Sequence, residues 1–189
     1  MSVIRTFIAF DTPDKIRREM SMVQSQLKQS NADVKWESEN KFHATIKFLG
    51  DVDESSLPSL LSSIESAVRK HSLFEISYQS VGAFPDIGHP KVVWIGCENP
   101  DGILKNIKNE LDIKLQLLGF EIEKRGFHPH ITLGRIKGEH NIKNLTSLLE
   151  KITFQPHSAK VSEVVVMKSV LRPEGSEYSV IQSIALQNR

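Results

Sequence analysis

One four-residue pattern, His-x-Thr-x with apolar residues at x, occurs twice in this chain: His43-Ala44-Thr45-Ile46 and His130-Ile131-Thr132-Leu133, each inside a short apolar run. In an extended strand alternate side chains share a face, so each His stands beside the Thr two residues on. Ala44 and Ile46, like Ile131 and Leu133, turn to the opposite face. A fold that satisfies both copies has to build two similar strands, each with a buried side and a side carrying an imidazole and a hydroxyl. Adding 87 to first-half numbers superposes the two signatures and aligns other features as well. Phe7-Ile8 falls on Trp94-Ile95, and Thr12-Pro13-Asp14 on Asn99-Pro100-Asp101. Thr12 and Asn99 are N-cap residue types, and the proline after each suits a first helical position. Each half is therefore expected to run strand, capped helix, His-x-Thr strand, second helix. A pseudo-twofold axis would bring the two His-x-Thr faces together across a groove.

The hydrophobic pattern extends this reading. Val3–Phe10 and Phe42–Phe48 read as strands, and Ile16, Met20, Val23 and Leu27 give Asp14–Gln29 a helical rhythm. Leu60, Leu61, Ile64 and Val68 do the same for Leu57–Val68. Phe74–Val81 and Lys91–Cys97 are expected strands joined by a Gly- and Pro-rich loop from Gly82 to Pro90. Ile103–Leu118 follows as a helix, Pro129–Ile136 as the second motif strand and Ile142–Ile152 as a fourth helix. Val161–Leu171, with its Val164-Val165-Val166 run, and Glu177–Leu186 are the last expected strands. The fold class is α+β: two similar lobes of mostly antiparallel sheet flanked by helices, related by a pseudo-twofold around a central cleft. No linker or low-complexity segment divides the chain, so residues 1–189 are read as a single domain of two intertwined lobes.

Composition limits the partners. No apolar run is long enough to span a membrane, and Val3–Phe10 is broken by Arg5 and runs into Asp11-Thr12-Pro13, unlike a secretory leader. A lone cysteine, Cys97, cannot form an internal disulfide, which suits a reducing cytoplasm. The net charge of +1 excludes a protein that coats nucleic acid wholesale, but a local basic groove engaging a few phosphates remains open.

Two imidazoles with ordinary pKa values near 6.5 can act as base and acid together, one neutral and one protonated. Two hydroxyls can donate to the oxygens of a phosphate held between them. That set suits a phosphodiester reaction without a metal. A strand histidine taken singly is most often structural, and a strand threonine is most often a β-former; the repetition carries the functional reading. A zinc site is the chemical rival, but neither signature holds a carboxylate or Cys at ligand spacing. His71, His89, His140 and His157 have no repeated context. His128 shares the alternating face of His130 and is read as a surface residue.

The runs Trp36…Asn40-Lys41-Phe42-His43-Ala44-Thr45-Ile46-Lys47-Phe48-Leu49-Gly50 and Arg125-Gly126-Phe127-His128-Pro129-His130-Ile131-Thr132-Leu133-Gly134-Arg135 resemble the two signatures of the 2H phosphoesterases. With Arg5-Thr6-Phe7-Ile8-Ala9, Gly82-Ala83-Phe84-Pro85 and Val92-Val93-Trp94-Ile95-Gly96, the chain is similar to RNA 2′,3′-cyclic phosphodiesterases, also called 2′-5′ RNA ligases. The resemblance implies hydrolysis of a terminal RNA 2′,3′-cyclic phosphate to a 2′-phosphate, with reversible 2′-5′ joining in some members. It implies His43 as proton donor to the 3′ oxygen, His130 as the acceptor that activates water, and Thr45 and Thr132 as phosphate holders. No cofactor and no metal are expected, and the chain is read as a cytoplasmic monomer acting on RNA ends that bear a 2′,3′-cyclic phosphate. Arg135 is a further candidate for substrate binding, although simple alternation points it away from His130 unless a bulge, as at Gly134, intervenes. A non-catalytic RNA-end binding protein, a metal-dependent hydrolase, and an enzyme for 2′-5′ oligonucleotides or small cyclic nucleotides are the alternatives.

Overall fold

In the computed structural model, which describes residues 2–124, 126–173 and 175–188, one antiparallel sheet runs through both halves of the chain. Arg125 of the second signature lies outside the described residues. The strands are β1 (Val3–Asp11), β2 (Val34–Trp36), β3 (His43–Asp53), β4 (Phe74–Phe84), β5 (Val92–Glu98), β6 (His130–Ile136), β7 (His157–Val161), β8 (Glu163–Arg172) and β9 (Gly175–Ala185). Their order is β7-β4-β5-β6-β3-β1-β8-β9, with β2 on β6. Read from the middle outwards, β6, β5, β4 and β7 on one side answer β3, β1, β8 and β9 on the other.

The halves meet at a single registered pair, Ala44 opposite Ile131. These two residues are related by the 87-residue offset, so an antiparallel pairing between them is a local twofold. Beyond it the motif strands part, and β2 takes over the free edge of β6, pairing Trp36 with Gly134 and Lys35 with Arg135. That early parting opens the sheet into two lobes with a groove between them.

Four helices cover the other face: α1 (Asp14–Lys28), α2 (Leu57–Val68), α3 (Ile103–Gln116) and α4 (Ile142–Leu149). Their buried stripes, among them Ile16, Met20, Val23 and Leu27 of α1 and Leu104, Ile107, Leu111 and Leu115 of α3, have the 3.6-residue spacing of an amphipathic helix. They pack on the inner residues of the sheet, Ile8, Phe10, Ala44, Ile46, Val93, Ile95, Ile131 and Leu133, in one continuous apolar cluster. α2 packs against α3 and α1 against α4, so each pair draws one helix from either half of the chain.

Several expectations need correction. The prolines lie before the helices: Pro13 occupies the cap position of α1, and α3 begins only at Ile103, after Gly102. Thr12 does not cap; its hydroxyl turns inward toward the Tyr78 phenol, whereas the Asn99 side chain reaches forward to accept from the Leu104 amide at 2.8 Å. The Gly82 loop is shorter than expected because β4 runs on through Gly82, Ala83 and Phe84, paired with Trp94, Val93 and Val92. A Cβ on Gly82 would lie 2.3 Å from the Trp94 ring, so the glycine marks a strand crossed by an indole rather than a turn. The first motif strand continues to Asp53, and β2 and β7 were not expected. The 87-residue offset holds for β3 and β6 but slips by two in their neighbours. Ala9 pairs with Thr45 while Trp94 pairs with Thr132, so the counterpart of Trp94 is Ala9 and not Phe7.

Candidate active site

The sheet face opposite the helices carries both His-x-Thr sets. Ala44, Ile46, Ile131 and Leu133 are buried against the core, and His43, Thr45, His130 and Thr132 are half-buried on the groove side. An antiparallel register through Ala44 and Ile131 sets His43 across from Thr132 and Thr45 across from His130. The two histidines then lie on a diagonal, a separation of about 7–8 Å between strand positions in a regular sheet. A phosphate group fits that interval, with one imidazole and one hydroxyl on either side.

Both motif strands bulge just after the threonine. On β3 the register against β1 shifts between Thr45 and Lys47, and on β6 the register against β5 shifts between Thr132 and Gly134. The extra residue reverses the alternation, so Leu133 and Gly134 are both buried and Arg135 comes out on the face of His130. Its charge reaches His130 and Tyr178, and its guanidinium is 4.0 Å from the Glu37 carboxylate. Gly134 is required there by close approach: a Cβ would come within 2.7 Å of both the Trp36 ring and a Val34 methyl on β2. On β3 the bulge turns Lys47 inward. Lys47 is 1% exposed and donates to the Asp112 carboxylate of α3 at 2.7 Å and to the Glu121 carbonyl at 2.8 Å. Lys108 takes the other Asp112 oxygen at 2.6 Å and stands 5.9 Å from the Phe127 ring centroid. The segment leading into His130 is thus tied to the strand that carries His43.

Aromatic rings wall each histidine. His43 stacks on Phe7 with ring centroids 5.0 Å apart and meets the edge of Tyr178 at 5.1 Å. His130 meets Phe84 edge-on at 4.9 Å, with Trp94 at 6.4 Å. Burial among these groups disfavours the charged imidazole, and both pKa values fall below the usual 6.5. His43 is pushed down to about 4; the Asp11 carboxylate opposes the shift and Arg17, its ion-pair partner, adds to it. For His130 the His128 carbonyl opposes burial, and Arg135 and His128 reinforce it.

Tautomers follow from the backbone. His130 Nδ1 lies 2.7 Å from the His128 carbonyl, and a carbonyl can only accept. Nδ1 therefore carries the hydrogen, and neutral His130 is left with a lone pair on Nε2. The Lys41 carbonyl, again two residues upstream, exerts the same kind of pull on His43. His128 itself is exposed, and it is its carbonyl that fixes the tautomer of His130. Phe7, Phe84, Trp94 and Tyr178 were not singled out from the sequence as a wall; only their positions on neighbouring strands bring them here. Among the described residues no three His, Cys, Asp or Glu side chains converge in a way that could hold a metal ion, and no helix is long and apolar enough to cross a membrane.

This fold, with paired His-x-Thr strands at its twofold junction, defines a 2H phosphoesterase. More narrowly, the chain belongs to the LigT-like phosphoesterase family, whose description matches residues 10–94 and again residues 95–178. The two matches begin at equivalent positions of the repeat, Phe10 of β1 opposite Ala44 and Ile95 of β5 opposite Ile131. Among its relatives is an RNA 2′,3′-cyclic phosphodiesterase of Methanothermobacter thermautotrophicus, 34% identical over 97% of this chain and 99% of that one. Another with the same name, from Methanocaldococcus jannaschii, is 35% identical over 95% of this chain and 99% of its own length. Among solved structures, E. coli LigT complexed with 3′-AMP superposes with a TM-score of 0.79, at 25% identity, over 99% of this chain and 100% of that one. A Thermus thermophilus protein gives 0.80 at 23% identity over 96% and 97% of the two chains.

Proposed function

We propose that this phosphoesterase hydrolyses the 2′,3′-cyclic phosphate at an RNA end to a 2′-phosphomonoester, with no metal ion taking part. The observation that carries the reading is the Ala44–Ile131 junction, which sets two imidazoles on a diagonal with a hydroxyl opposite each. In this reading neutral His130 takes a proton from water through Nε2 as the water oxygen bonds to phosphorus. His43, protonated, gives its proton to the 3′ oxygen as that bond breaks, and the phosphate stays on the 2′ oxygen. Thr45 and Thr132 donate to the non-bridging oxygens, and the Arg135 guanidinium balances charge that builds there.

This division of labour depends on the substrate, because in the free enzyme burial leaves His43 the poorer holder of a proton. His43 holds a proton more weakly than an ordinary imidazole, which makes it a ready donor once loaded. The phosphate it faces carries the negative charge that favours loading. Joining through a 2′-5′ bond is the same displacement with an RNA 5′ hydroxyl in place of water. Relatives named RNA 2′,3′-cyclic phosphodiesterase support the substrate, and the nucleotide in the E. coli LigT complex supports nucleotide chemistry in this fold. The reading places the protein with cytoplasmic RNA as a monomer whose lobes work as one domain.

The test is digestion of an oligonucleotide ending in a 2′,3′-cyclic phosphate by enzyme stripped with chelator, followed by phosphorus NMR of the product. A 2′-monoester formed in the presence of chelator is expected. A 3′-monoester would reverse the donor and acceptor assignments, and activity restored only by added metal would refute the metal-free scheme.

A further inference from the structure

Beside the groove, sharing Tyr178 with the wall of His43, lies a recess of about 380 Å³ lined by Asn40, Lys41, Arg172, Glu177 and Tyr178. Three cations surround it. Lys41 Nζ is 6.0 Å from the Tyr178 ring centroid. Lys41 and Lys35 bring their ammonium groups to within 3.3 and 3.5 Å of where a Cβ would stand on Gly175, which lines the same recess. Arg172 is held by Glu177 at 3.2 Å and Lys41 lies 4.0 Å from Glu37, whereas Lys35 forms no ion pair among the described residues. No group in the acid–base scheme needs this positive charge.

We propose that the recess is a phosphate subsite for the RNA strand, holding the phosphodiester on the 5′ side of the cyclic end. The inference rests on the RNA reading above. Ribose connectivity gives the direction. The carbon bearing the 3′ oxygen is bonded to C4′, which carries the 5′ linkage, whereas the carbon bearing the 2′ oxygen is bonded to C1′, which carries the base. With His43 at the 3′ oxygen, the strand leaves on the His43 side, where Tyr178 and the recess stand. The base leaves on the side of His130, toward Phe84 and Trp94. The His43 ring and the Lys41 ammonium stand 5.1 and 6.0 Å from the centroid of the same Tyr178 ring, so imidazole and recess are neighbours on one tyrosine. Glycine at 175 leaves the cations room to close on a phosphate. An RNA strand is thereby distinguished from a mononucleotide, which has no group for this subsite.

The test compares kcat/KM for a tetranucleotide ending in a 2′,3′-cyclic phosphate with that for 2′,3′-cyclic AMP, at several salt concentrations. The double variant Lys35→Gln with Arg172→Gln removes two exposed cations from strand surfaces and is checked for an unchanged urea midpoint. It should lower the ratio of tetranucleotide to mononucleotide kcat/KM by about threefold to tenfold, through KM. The salt slope for the tetranucleotide should flatten by about 0.7 for each phosphate that the variant no longer neutralises. Glu177→Gln frees Arg172 and should move the ratio the other way. A ratio unmoved by either variant, or moved in the same direction by both, overturns the subsite while the RNA reading stands. Wild-type enzyme that turns over neither substrate overturns both.

Discussion

His43 is the group whose behaviour most sharply tests the site, and acid is the perturbation. Burial between Phe7 and Tyr178 lowers its pKa from 6.5 to about 4. A fall of ~2.5 pH units at 1.36 kcal/mol per unit gives about 3 kcal/mol of preference for the neutral ring. In the unfolded chain the same imidazole takes a proton near pH 6.5, so between pH 6.5 and 4 unfolding takes up a proton. Stability from this residue is whole above pH 6.5 and is lost as pH falls toward 4. Urea unfolding at pH 7.5 and 4.5 should show wild type losing about 2–3 kcal/mol more than His43→Phe, which fills the space without titrating.

The same residue governs rate. In the free enzyme both histidines titrate below 6.5, so the alkaline limb of kcat/KM should begin below that value. A bound phosphate places negative charge beside His43 and raises its pKa, by about one to three pH units for a close opposite charge. The alkaline limb of kcat should therefore lie above that of kcat/KM. Because the two imidazoles are coupled, the limbs belong to the pair, and NMR of the ring protons with and without inorganic phosphate assigns them. His43 titrating at or above 6.5 in the free enzyme, or kcat and kcat/KM sharing one alkaline limb, would refute this account of the site.

His43→Ala and His130→Ala should each lower turnover by roughly a hundredfold or more with circular dichroism unchanged, since each supplies a separate proton transfer. Thr45→Val and Thr132→Val should slow turnover by about tenfold to a thousandfold without altering which oxygen keeps the phosphate, as NMR of the product will show. Asp112→Ala strands the ammonium groups of Lys47 and Lys108 in the interior, and thermal unfolding should register a loss of about 3–5 kcal/mol. Gly82→Ala pushes the Trp94 ring off β4 and should lower kcat/KM with a shift in tryptophan emission; an unshifted spectrum with full activity would remove Trp94 from the wall of His130.

The parts of this molecule that were legible in the sequence are those whose signal is local. The two signatures, the apolar stripes of the four helices and the β-branched run of β8 each lie within a window of a few residues. Strands β2 and β7 were not legible, because three residues or an exposed edge bearing His157, Ser158 and Lys160 leave no alternation to read. The two-residue slip between β1 and β5 could not be seen by aligning motifs, since it lies in the pairing with the neighbouring strand. Alternation also fails at both bulges. It would send Lys47 into the groove with Thr45 and Arg135 away from His130, and the folded chain does the reverse in each case. Phe84 and Tyr178 reach the histidines only through strand order, a property of the whole sheet.

A reaction with one acid and one base poses a problem for a twofold site, because identical environments would give the two imidazoles identical affinities for a proton. The symmetry is broken at the outer strands. β9 and β7 occupy corresponding ends of the sheet, but β9 has eleven residues and β7 five. The extra length of the β8–β9 hairpin carries Tyr178 over His43 and deepens its burial. In the other half the corresponding strand to β8 is β4, and it supplies Phe84 instead. Beside His130 stand the His128 carbonyl, which fixes its tautomer, and Arg135, delivered by the bulge. The shared His-x-Thr strands place the reacting groups, and the unequal outer strands make one imidazole the poorer holder of a proton. Shortening the hairpin at its tip should therefore bring the two pKa values together, even though no residue of either signature is changed.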